Sequence, residues 1–135
     1  MLTHDDLEIR VWRGFGVTAL DGYVIKRVKG EWSGLKIPPI RPNYSGSYTN
    51  ISITPKSGWN QLWKRLTDEG VLTLPDSSQL PNGISFMDGI SYVVEINMNL
   101  TYRTYMYGDP QNQGDSREAK QMMRVIHTLQ QELGT

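Results

Sequence analysis

The sequence predicts an α+β domain, an antiparallel β-sheet of about six strands with two helices packed on one face. Three observations predict it. Several segments alternate apolar and polar residues, the period-two pattern of a half-buried strand, while two others repeat at the 3.6-residue spacing of an amphipathic helix. Turn residues separate the strands by connections too short for a parallel crossover. The resulting order, β-β-β-β-α-β-β-α, contains no internal repeat, low-complexity tract or linker, so residues 1–135 read as one domain. At 135 residues, 38% apolar and 21% charged, such a chain buries about two-thirds of its unfolded surface without a metal or disulfide.

The first strand is carried by Leu7, Ile9 and Val11 alternating with Glu8, Arg10 and Trp12, and Gly14-Phe15-Gly16 interrupts it. Tyr23 to Lys29 and Glu31 to Ile37 follow as neighbours, because Lys29-Gly30 leaves room only for a tight antiparallel turn. Pro38 to Ser47 has three prolines and no period, the composition of a surface loop. Alternation resumes from Tyr48 to Thr54. Trp59, Leu62, Trp63 and Leu66 then fall on one helical face, with Ser57 placed to cap and Gly70 to terminate. Turn clusters around Pro75 and Pro81 predict a long connection to Met87. Ile90 to Ile96 and Leu100 to Tyr107 form the strongest strand pair, joined through Asn97-Met98-Asn99. Asp115 and Glu118 make a capping-box pattern before a helix whose apolar stripe is Ala119, Met122, Met123, Ile126, Leu129 and Leu133.

Composition excludes several function classes. Fourteen basic and fourteen acidic residues sum to zero, so the broad positive field of a nucleic-acid binder is missing. No apolar run approaches the ~20 residues of a membrane-spanning helix. Without cysteine there is no thiol nucleophile, disulfide or thiolate metal site. The two histidines, His4 and His127, have no metal-ligand spacing around them. No cofactor and no metal are expected.

Two groups of residues stand out. Asp88 and Glu95 are the acids of the central segment, and Glu95 sits among apolar strand neighbours. A three-residue turn at 98–100 sets it opposite Arg103, whereas a two-residue turn at 98 and 99 sets it opposite Tyr102. Asp88, Glu95 and Arg103 are therefore the candidates for an ion pair or for the polar groups of a pocket between sheet and helices. The second group is aromatic. Tyr102, Arg103, Tyr105 and Tyr107 share one strand, and Tyr44 and Tyr48 flank the proline-containing loop; Arg103, Tyr105 and Tyr107 are the candidate anchors, with Tyr44 and Tyr48 at the rim. Tyrosine and arginine combine large contact area with polar anchoring, as protein-binding hot spots require. Tyrosines are also favoured strand residues that pack against neighbours.

The motifs Ile9-Arg10-Val11-Trp12-Arg13-Gly14-Phe15-Gly16, Gly30-Glu31-Trp32-Ser33-Gly34, Leu74-Pro75-Asp76, Asp88-Gly89-Ile90-Ser91-Tyr92-Val93-Val94-Glu95 and Tyr102-Arg103-Thr104-Tyr105-Met106-Tyr107, in this order, resemble a family of small, uncharacterised bacterial domains often found in exported proteins. The resemblance implies a bacterial origin and export, and it brings no activity. As written, the chain stays in the cytoplasm; with an upstream signal peptide removed, it is periplasmic. The leading expectation is a non-enzymatic domain that binds another protein, one version being an immunity or inhibitor protein for a secreted toxin. The alternatives are a small-molecule binder or hydrolase with a pocket around Glu95, and a homodimer joined through an exposed edge strand.

Overall fold

The computed structural model describes residues 5–14, 20–40, 50–80, 90–108, 110 and 116–134. They form strands β1 (Leu7–Gly14), β2 (Leu20–Val28), β3 (Glu31–Ile40) and β4 (Ile51–Ser52), helix α1 (Trp59–Asp68), strands β5 (Ser91–Met98) and β6 (Thr101–Gly108), and helix α2 (Arg117–Leu133). The six strands make one sheet in the order β4-β3-β2-β1-β5-β6, and every neighbouring pair is antiparallel. The predicted α+β architecture is thus the observed one, with β1 central because β5 pairs on its free side.

One face of this sheet carries both helices. Leu7, Ile9, Val11, Ile25, Tyr92, Val94, Ile96, Tyr105 and Tyr107 pack with Leu62 and Leu66 of α1 and with Met122, Val125, Ile126, Leu129 and Leu133 of α2. All of these sheet residues share one parity in the register, as period-two burial demands. Over β3, Trp59 and Trp63 pack on Trp32, the first pair stacked with centroids 5.7 Å apart. Gly34 makes this approach possible: a Cβ there would stand 2.7 Å from the Trp59 ring.

The two helices are locked by a buried carboxylate. Glu132 of α2 accepts the Ser57 N–H and hydroxyl, both at 2.8 Å, and pairs with Arg65 of α1 at 3.0 Å. Burial raises its pKa, but these hydrogen bonds and the Arg65 charge outweigh that and hold it below the ordinary value.

Several boundaries differ from expectation. β3 runs on through Pro38 and Pro39 to Ile40, which an edge-proximal position allows because β4 pairs only with Leu35 and Lys36. Of the expected fourth strand, Tyr48 and Thr49 lie outside the described residues, and the described part pairs over Ile51–Ser52. Gly58, not Ser57, occupies the α1 cap position, since Ser57 is committed to Glu132. Ser116 caps α2 by accepting from the Ala119 N–H. The β5–β6 turn consists of Asn99 and Leu100, both at positive φ, and closes the Met98–Thr101 pair, as a two-residue hairpin with matching twist requires.

Candidate functional site

That turn decides where the predicted site residues go. It sets Glu95 opposite Thr104 and Arg103 opposite Ile96, so Glu95 and Arg103 project from opposite faces of the sheet. The expected Glu95–Arg103 pair is therefore corrected: a turn at 99 and 100 shifts the register by one residue from the nearer alternative, and a one-residue shift reverses the face. Tyr44, Tyr48 and Asp88 lie outside the described residues.

Arg103, Tyr105 and Tyr107 face the helix side, where they fasten the connection after α1 to the sheet edge. Arg103 donates to the carbonyls of Leu72, at 3.0 Å, and of Leu74. The Tyr105 hydroxyl donates to Val71 O at 2.7 Å and that of Tyr107 to Pro75 O at 2.6 Å. From the same connection Asp76 reaches back: it accepts the Met106 N–H at 2.8 Å and both the N–H and the hydroxyl of Ser78. Burial of Asp76 raises its pKa, yet these donors leave it below the ordinary value. Tyr105 and Tyr107 are 1% and 0% exposed, and burial pushes both phenols up, that of Tyr107 to about 12. These two tyrosines thus belong to the core, where edge-strand side chains with polar tips satisfy loop carbonyls, and they are not placed at an exposed contact surface.

The opposite face of the sheet carries no helix among the described residues. Its rows follow from the register. Met106, Val93, Trp12, Gly22 and Ile37 run side by side across five strands, and Met106, Val93, Trp12 and Ile37 are half-buried. The next row reads Thr104, Glu95, Arg10, Val24 and Leu35, and the one beyond it Tyr102, Asn97, Glu8, Lys26 and Ser33. An apolar band thus borders a polar and charged one.

Trp12 joins the two bands. Its Nε1 donates to Glu95 Oε2 at 2.7 Å on the β5 side, while on the β2 side its Cε3 would stand 3.0 Å from a Cβ at Gly22. The indole therefore spans the sheet across its own strand, over a glycine. Tyr102, 55% exposed, donates to Glu95 Oε1 at 2.8 Å; that hydrogen bond raises the phenol pKa above its ordinary value. Beside them Glu8 is held by Arg10 at 2.6 Å and Lys26 at 3.4 Å.

In the sequence, Trp12 stands only as a member of the polar parity of β1. A tryptophan alternating with Glu8 and Arg10, on the side away from Leu7, Ile9 and Val11, is the signal that marks this face. Strand parity also separates Tyr102 from Tyr105 and Tyr107.

A narrow crevice on the helix side lies between β1, β2, β5 and α2, with Val11, Tyr23, Tyr92 and Ile126 as its walls and the Arg13–Asp21 pair, bonded at 3.0 and 2.7 Å, at its polar end. It has room for ordered water and not for a drug-sized ligand, and Glu95 is on the other side of the sheet. Among the described residues, no three His, Asp or Glu side chains converge as metal ligands would, and no helix is long and apolar enough to cross a membrane. Comparison with known proteins finds no matching family model and no matching curated protein.

Proposed function

We propose that this chain is a protein-binding domain that acts by contact, through the sheet face opposite the helices. The single observation that supports this reading is the band formed by Met106, Val93, Trp12 and Ile37, half-buried and bordered by a charged row. Partly exposed apolar side chains with polar and charged ones along one border match the core-and-rim anatomy of protein interfaces, and tryptophan, tyrosine and arginine are the residues that dominate their energetics. Trp12, Tyr102 and Arg10 supply all three on one surface. An immunity or inhibitor protein for a secreted toxin is one form of such a domain, by analogy of size.

The test is site-specific photocrosslinking in cells of the source organism, with a benzoylphenylalanine at Val93 or Met106 on this face and at exposed Asn60 on α1 as control. A discrete adduct from the two sheet positions, absent from Asn60 and reduced by Trp12→Ala, is the expected result. Equal crosslinking from Asn60, or none from the sheet face, overturns the reading. An adduct of twice the chain mass replaces the foreign partner with a second copy.

A further inference from the structure

We infer that the partner places a cationic side chain, an arginine or a lysine, against the site made by Glu95, Trp12 and Tyr102; this rests on the contact surface proposed above. Three observations carry it. First, Glu95 is oriented but not neutralised. Its two oxygens accept from the Trp12 indole at 2.7 Å and the Tyr102 hydroxyl at 2.8 Å, both neutral donors, and each oxygen keeps a further lone pair for another donor.

Second, the nearby cations are engaged elsewhere. Arg10 is the direct cross-strand neighbour of Glu95, yet its guanidinium turns along its own strand to Glu8 at 2.6 Å, and Lys26 joins the same carboxylate at 3.4 Å. Two cations thus share Glu8, and among the described residues Glu95 has no ion pair. Over the two rows that hold these side chains the charge sums to zero but is polarised, with an excess positive charge around Glu8 and a negative charge at Glu95. A partner complementary to that pattern brings its cation to Glu95.

Third, the walls of the site suit a cation. Trp12 is the strongest cation–π ring and Tyr102 offers another. The indole is anchored by its hydrogen bond to Glu95 and lies close over Gly22, where the missing side chain leaves it room, so its orientation is set before a ligand arrives. A guanidinium can stack on such a ring and donate to the carboxylate at its edge, whereas an ammonium can only approach as a point charge.

The experiment follows the Trp12 indole N–H by NMR, identified among the four tryptophans by its loss in Trp12→Phe. The full chain is titrated at fixed ionic strength with acetyl-Gly-Arg-Gly-amide, its lysine counterpart and its citrulline counterpart, which keeps the shape of arginine without the charge. A saturable shift with arginine or lysine is expected, weaker by on the order of tenfold with citrulline and, for the arginine peptide, in Glu95→Gln. The arginine and lysine arms decide which cation the site prefers. Equal shifts with arginine and citrulline, an unchanged response in Glu95→Gln, or no saturable response to any peptide overturns the inference. The other three indole signals report whether Glu95→Gln keeps its fold. Crosslinking from Val93 that persists while the peptides fail to discriminate leaves the contact surface in place and removes only the cation site; loss of that crosslinking removes the surface itself.

Discussion

Along β1, Leu7, Ile9 and Val11 are at most 3% exposed under the helices, while on the other face Arg10 is exposed and Trp12 half-buried. The two faces come from the same strands and differ in how water is kept off them. On the helix side, two amphipathic helices exclude it from a continuous apolar layer. On the open side, side chains shelter one another: Glu8, at 7% exposure, lies beneath Arg10 and Lys26, and the Trp12 indole covers Gly22. Burial on the first face stabilises the fold, whereas the half-burial on the second leaves part of its apolar area in contact with water.

The sharpest way to break this comparison is to cut the same kind of hole in each face. Ile9→Ala or Leu129→Ala, both at 1% exposure, is expected to destabilise by about 2–5 kcal/mol, because the transfer energy and a cavity add together. Val93→Ala on the open face removes half-exposed atoms and is expected to cost under about 1 kcal/mol. Urea denaturation of the three variants checks this. A cost for Val93→Ala as large as that for Ile9→Ala would mean that the open face is covered.

The edge of the sheet supplies the next test. Arg103→Ala removes a charged donor from the carbonyls of Leu72 and Leu74, with an expected loss of about 1.5–3 kcal/mol. Arg103→Lys should recover part of it, since one ammonium reaches fewer acceptors than the guanidinium fork. The urea midpoint measures the loss, and faster amide exchange at Met106, whose N–H is held by Asp76, localises it to the fastening of β6. An unchanged Met106 exchange rate would detach Arg103 from that role.

The helix side of the molecule was largely legible in the sequence, and the open side was not. Leu62 and Leu66, or Met122, Ile126 and Leu129, announce their face by spacing alone, because the core tolerates only one pattern. Register across a hairpin depends instead on which residues accept positive φ. Asn99 was foreseeable as one of them, but Leu100 at φ 60° breaks the usual preference of aliphatic residues, and with it went the partner of Glu95. Arg103, Tyr105 and Tyr107 have the composition of a binding strip, and composition alone does not say that loop carbonyls some thirty residues away in the chain have already taken their polar ends. Trp12 is the converse case, a large aromatic residue in the polar parity of a strand.

Acid should separate the two faces as well. Glu132 and Asp76 both have folded pKa values below their ordinary 4.5 and 3.8, so the stability they contribute is present above those values and is lost as pH falls through the lower, folded ones. Stability measured by urea is expected to decline as the solution is acidified below about 4.5. Glu132→Gln should be less stable at neutral pH and show a shallower decline. A decline of unchanged steepness in that variant would assign the acid sensitivity to other groups.

The smallest expected effect lies on the open face itself. Tyr102 donates its hydroxyl hydrogen to Glu95, so ionising the phenol breaks that bond and puts a second negative charge beside the carboxylate; its pKa is raised above the ordinary 10.0 for the first of these reasons foremost. A raised folded pKa contributes stability below the unfolded value and loses it as pH rises through the folded one. For so exposed a group the consequence is local. The difference in phenolate absorbance between the native chain and Tyr102→Phe isolates this titration, and Glu95→Gln should bring it down toward 10 while changing overall stability by no more than about 0.5 kcal/mol. If the titration stays where it was, the carboxylate does not hold the phenol in solution, and the tyrosine wall of the proposed cation site loses its anchor while Trp12 keeps its own.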